Sequence, residues 1–158
     1  MSGNADTILR QRLVSHIKGG EAFLPIDNLI EKVPYHLTGV KPDALPYSFF
    51  QLFYHIRMAQ LDILKYCSSG NYREPVWPDD YWPANTAPDN EQEWMELISN
   101  YLNEREEFCE LLLDESNHLF QPIASNPDHN LMRQAQLIIE HSAYHTGQLY
   151  VIYRLFNK

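Results

Sequence analysis

The stretch Ile139-Glu140-His141-Ser142-Ala143-Tyr144-His145-Thr146-Gly147-Gln148-Leu149 carries two histidines four positions apart. A helix turns about 100° per residue, so side chains four apart lie about 40° from one another, one turn up the same face. Two neutral imidazoles placed in this way can grip one metal ion. On a helical period the apolar stripe of the segment runs Leu131, Ala135, Ile138, Ser142, His145, Leu149, Ile152 and Phe156. That stripe turns His145 toward the core and sets His141 beside it. A pair at this spacing also occurs on helices as ordinary core residues, their ring nitrogens satisfied by neighbours. Zinc proteases place a Glu directly after the first His; here that position is Ser142, so the segment has no built-in general base and does not point to a protease. A third ligand has to come from elsewhere.

An ion held between helices draws ligands from facing elements, so the helices that could face this one matter next. Residues from about Asp6 to Lys18 read as a first helix, stopped by Gly19-Gly20, and His16 sits near its apolar stripe. A short helical piece follows from Pro25 to Lys32, and Pro34, Pro42 and Pro46 keep the next connection extended apart from a helical turn or two. Ser48 followed by Gln51 is a capping-box signature that opens the second long helix, before Leu52, Phe53, Ile56, Ala59, Ile63 and Leu64. His55 borders that stripe, with Asp62 two turns further along the same face.

Between Ser68 and Asn90 stand Pro75, Pro78, Pro83 and Pro88 with Trp77, Tyr81 and Trp82. Proline forbids a continuous helix there, and the aromatic content predicts an ordered strap rather than a flexible linker. A connection of roughly 20 residues is long enough to cross one end of a bundle, over a pocket or simply packed against it. The third long helix is expected from about Glu91 to Asn117, with Glu104, Arg105, Glu106 and Glu107 as a solvated face. After Pro122 and Pro127, with Asp128 or Asn130 as cap, the fourth runs almost to the C-terminus.

Four helical segments, no strand-like alternation and one long crossover between helices 2 and 3 predict an all-α, four-helix bundle, one domain over residues 1–158. In such a bundle His55, His141 and His145 form a three-imidazole set with an open side for water, unless a fourth ligand such as His16 closes it. The formal net charge of −9, with no clustering of the 12 Lys and Arg residues, argues against nucleic acid as a partner. Cys67 and Cys109 form no CxxC pair and read as free thiols of a reducing compartment. The first residues have no signal-peptide core and the apolar runs are too short for a bilayer, so a cytoplasmic protein without membrane attachment is expected.

Two stretches, Pro46-Tyr47-Ser48-Phe49-Phe50-Gln51-Leu52-Phe53-Tyr54-His55-Ile56-Arg57-Met58-Ala59-Gln60-Leu61-Asp62-Ile63-Leu64 and the one quoted first, resemble those of the DinB/YfiT-like family. Glu74-Pro75-Val76-Trp77-Pro78-Asp79-Asp80-Tyr81-Trp82-Pro83 is similar to a loop in one branch of it, and the likeness runs from near Gly19 to near Arg154. The resemblance implies a bundle with one divalent ion, often zinc or nickel, held by His55, His141 and His145, and frequently a homodimer. Some relatives transfer or isomerise with low-molecular-weight thiols, others are called hydrolases, and many have no known activity; the name implies no DNA binding. Phe53-Tyr54 departs from the Trp or acidic residue that often precedes the first ligand His, so pocket details do not carry over.

Three neutral imidazoles leave a divalent ion its full charge, which lowers the pKa of a bound water to about 7 and lets a thiol be activated in the same position. The function expected is therefore a metal-dependent hydrolase or thiol transferase acting on a small molecule. Asp62, Tyr144 and Gln148 are candidates to orient a ligand or touch a substrate. The alternative is a bundle that binds metal or a small ligand without catalysis.

Overall fold

The computed structural model describes residues 2–43, 45–123 and 126–157 of the chain. They form helices α1 (Ser2–Lys18), α2 (Asp27–Ile30), α3 (Tyr35–Thr38), α4 (Phe49–Ser68), α5 (Glu91–Leu113) and α6 (Leu131–Phe156), with strands β1 (Pro122–Ile123) and β2 (Asn126–Asn130) just before α6. The long helices α4, α5 and α6 each start at a side-chain cap, whereas α1 starts at Ser2, ahead of the expected Asp6. At α4 the Ser48 hydroxyl accepts from the Gln51 amide at 3.1 Å while Gln51 Oε1 accepts from the Ser48 amide at 3.2 Å. The Asn90 and Asn130 side chains accept from Glu93 N and Arg133 N, each at 2.9 Å, which satisfies an otherwise orphaned first-turn amide at α5 and α6. At the other end of α1, Gly19 and Gly20 take φ of 81° and 94°, a conformation that side chains disfavour and that ends the helix.

α4 packs against both α5 and α6, and α1 packs against the same two, so each long helix has two long neighbours. The core between them falls into two parts. Phe49, Phe53, Trp94, Tyr101, Leu149 and Ile152 fill one, with the Phe53 ring edge-on to Trp94 and Tyr101 at 5.4 and 5.2 Å. Leu13, Ile17, Phe108, Leu112, Leu131 and Ile138 fill the other. Each such side chain contributes about 1.5–3 kcal/mol on leaving water, and together they hold α4 and α6 in register. Among the described residues no helix is long and apolar enough to cross a membrane.

Several expectations need correction. The chain is mostly helical but not all-α: β1 pairs antiparallel with β2, joining Pro122 to Asn130 and Ile123 to Asn126 with an irregularity between. A two-residue strand has no alternation to read, which is why it escaped. Single-turn α2 and α3 bring the helices among the described residues to six. α5 stops at Leu113 rather than Asn117, where Asp114 turns extended, and the buried Arg10 ties the helix end to the turn that follows. The Arg10 guanidinium donates to Leu112 O at 2.6 Å, Asp114 O at 3.1 Å and Asn117 O at 2.8 Å. The acidic and basic run on α5 is not all solvated either. Arg105 is buried and donates from both terminal nitrogens to Asp27, at 2.7 and 2.8 Å, and Glu104 accepts twice from Arg57.

The strap over residues 69–90 is ordered without helix or strand. Its anchors are spread along its length. The Tyr72 and Tyr81 hydroxyls each donate to Asp62 at 2.8 Å, and the Ser48 hydroxyl donates to Thr86 O at 2.5 Å. Ala87 lies so close to Gly39 that a Cβ placed there would stand 2.2 Å from the Ala87 Cβ, so only glycine lets strap and α3 meet.

Candidate metal centre

The capping box fixes where α4 begins, and two turns in, the core stripe of Phe49, Leu52, Phe53 and Ile56 turns His55 inward, to 3% exposure. On α6 the buried Ser142 and Leu149 set the facing edge, from which half-buried His141 and His145 reach across. The packing of α4 on α6 then brings all three rings together. One ring nitrogen from each of His55, His141 and His145 lies within 4.8 Å of the others. Among the described residues these three are the sole His, Cys, Asp or Glu group that could hold a metal ion.

One pair of donor nitrogens stands at the spacing a shared divalent ion requires. His55 Nε2 and His141 Nε2 stand 3.0 Å apart, and two nitrogens on one tetrahedral zinc lie about 3.3 Å apart from bond lengths of about 2.0–2.1 Å. His145 Nδ1 donates to Gln148 Oε1 at 2.6 Å, which fixes the tautomer and leaves Nε2 with a lone pair for coordination. His55 Nδ1 is buried without a hydrogen bond of normal geometry, although the Tyr81 backbone lies close enough to favour its protonated form. Such a nitrogen gains its carbonyl partner when the opposite nitrogen is coordinated and Nδ1 carries the proton.

Electrostatics keep the three rings neutral, as metal ligation requires. Burial pushes His55 down to about 4, helped by the charge His145 would carry. Burial likewise pushes His141 down to about 3, helped by His145 and His55. His145 is lowered by burial too, against the opposing pull of Gln148. At neutral pH the three rings are therefore unprotonated.

This has a consequence for the chelated protein. An unfolded histidine titrates near 6.5, whereas folded His55 and His141 titrate near 4 and 3, so on acidification the unfolded chain takes up protons first. The stability contributed by neutral rings is fully present above about pH 6.5 and is lost as pH falls from there toward about 3. With chelator present, the melting temperature is expected to fall between about pH 7 and pH 5, and to fall less in His141→Asn. Equal falls in parent and variant would show that these rings are not held neutral by the fold.

The strap supplies the cover. Trp82 stacks flat on His55, ring centres 4.2 Å apart and planes 5° from parallel, and Trp77 meets the same ring edge-on at 5.9 Å. Tyr47 stacks on the outer face of this arrangement, 6.0 Å from Trp82. The strap's proline and aromatic content predicted order, but nothing in it told which ring would lie on His55. Of the remaining candidates, Gln148 touches His145 directly and the exposed Tyr144 ring lies 4.7 Å from it. Asp62 does not reach an imidazole: both its oxygens are occupied by tyrosine hydroxyls, and it bears on His55 only through Tyr81. His16, half-buried on α1, takes no part in the cluster. Cys67 and Cys109 are free, and burial raises both thiols, to about 12 and about 11, which leaves them unreactive. Set against known proteins, the chain matches no family model, no curated protein and no solved structure. The centre therefore rests on its own geometry.

Proposed function

We propose that this chain is a DinB-like four-helix bundle that holds one divalent ion, zinc or nickel, on His55, His141 and His145. The observation that carries the proposal is the convergence of three neutral ring nitrogens from two facing helices within 4.8 Å. Three protein ligands without a fourth leave an open position, the arrangement of catalytic rather than structural sites. A bound divalent ion supplies Lewis-acid chemistry there at neutral pH. We assign the chain as a metal-dependent enzyme, a hydrolase or a transferase using a low-molecular-weight thiol. Its own residues prepare the site: Gln148 orients His145, and Trp82 shields His55 from water.

The same Trp82 favours a second reading, a bundle that binds metal or a small ligand without turnover, because it closes one face of the site. Metal analysis of protein purified without chelator tests the common part of both. One ion per chain is expected; no metal, and no uptake of added zinc or nickel, would remove the proposal. Water-proton relaxation of the nickel-loaded protein separates the two: fast-exchanging water at the ion supports the enzyme, its absence the non-catalytic bundle.

A homodimer belongs to the same proposal. Tyr144, Val151 and Leu155 are 65%, 52% and 36% exposed along one outer stripe of α6, an apolar face suited to a second copy. Light scattering at tens of micromolar is expected to give twice the chain mass, and a monomer mass would refute it.

A further inference from the structure

A second polar group lies along the same two helices, one to two turns from His141 and outside the metal centre. A cleft of about 410 Å³ opens between α4, the strap, β2 and the first turns of α6. α6 contributes Arg133 and Gln134 to it, while α4 and the strap contribute Asp62 and Glu74. Among the described residues, unlike charges thus line one cleft without forming an ion pair.

Arg133 is the exception among the arginines withdrawn from solvent. Arg10 is engaged by backbone carbonyls and Asp6, Arg57 by Glu104 and Arg105 by Asp27. Arg133 is half-buried, yet among the described residues its guanidinium has neither ion pair nor hydrogen bond. Its neighbour Gln134 is only 3% exposed, and its amide has no partner among the described residues either; what exposure it keeps is into the cleft. Neither group is sealed from solvent, so the donors of both remain open to a ligand in the cleft. An unpaired guanidinium and an unpaired amide that share one cleft with the carboxylates of Glu74 and Asp62 describe a site that its ligand completes.

We infer that this cleft binds a free α-amino acid group, carboxylate toward Arg133 and Gln134, ammonium toward Glu74 and Asp62. A guanidinium fork and an amide NH2 are matched donors for a carboxylate. A carboxylate offers about four acceptor sites, so Asp62 can still accept from an ammonium after taking the Tyr72 and Tyr81 hydroxyls. A simple anion would share the cleft with both carboxylates and a simple amine with Arg133, whereas a molecule carrying both charges answers each. Ile63 and Leu137 give the cleft an apolar floor for an aliphatic side chain.

The experiment is isothermal titration of the full chain in the presence of chelator, so that the three histidines and their metal play no part. The probes are L-leucine, N-acetyl-L-leucine, which lacks the ammonium, and isoamylamine, which lacks the carboxylate. L-Leucine is expected to bind saturably at one per chain, with each truncated probe at least tenfold weaker. Arg133→Met and Glu74→Gln are each expected to weaken L-leucine at least fivefold with the melting temperature unchanged. Glu74 is exposed, so its variant is a safe one for folding. No saturable binding of L-leucine, N-acetyl-L-leucine binding as tightly as the free amino acid, or both variants binding like the parent would each overturn the inference.

Discussion

Zinc or nickel added to the parent protein is expected to raise its melting temperature, and to do so far less in His55→Ala, His141→Ala and His145→Ala alike. A ligand that binds only the folded state stabilises it by about 2.7 kcal/mol at a hundredfold excess over Kd, or about 5–10 °C in a domain of this size. The equality of the three variants is the distinguishing part. His55 lies 86 positions from His141 and on another helix, so nothing but a shared ion makes their losses match. If the rings were merely packed side chains, each variant would cost its own amount through local unsatisfied partners, typically about 1–3 kcal/mol, with no dependence on added metal. Melts with and without metal or chelator decide between them. Full metal-induced stabilisation in His55→Ala would remove that residue from the site.

The second large effect lies far from the histidines. Asp27→Ala strands the Arg105 guanidinium, which is buried, stacked 5.4 Å from the Tyr101 ring and already lacks a partner for Nε. Stranding one member of a fully enclosed pair costs about 3–5 kcal/mol, and because Asp27 keeps part of its surface in water the expected loss is about 2–3 kcal/mol. Replacing both, as Asp27→Ala with Arg105→Met, is expected to recover part of that loss, since no charge is then left without a partner. Urea denaturation of the two single variants and the double one measures it, and simple additivity would contradict the account.

The contrast between these two predictions shows what a sequence discloses. Ser48 with Gln51, the cap before α6 and the placing of His141 beside His145 on one face all act within a few positions of themselves, and these local arrangements could be read off before any fold was known. His55 was legible one step further out, through the stripe it borders. Arg105 and Arg10 were not, because a charged residue reads as surface unless its partner is known. Their partners stand 78 and more than 100 positions away. The same holds for Asp62, whose carboxylate was placed on the correct face while its partners, two hydroxyls from the strap, could not be foreseen. Trp82 is the sharpest case: the strap's composition gave its order, and only the meeting of strap and α4 gave its contact with His55.

That strap bears on the entropy of binding as well as on place. A loop that orders itself only when a molecule arrives charges every encounter with the conformational entropy of its residues, about 1–2 kcal/mol for each backbone unit that is frozen. Here Asp62 holds two of its tyrosines, Ser48 holds Thr86, and Gly39 lets Ala87 settle against α3, all within the folded chain. The freezing is completed once, during folding. If a molecule binds at the histidines as proposed, it meets a wall already built and is spared the entropy of ordering it.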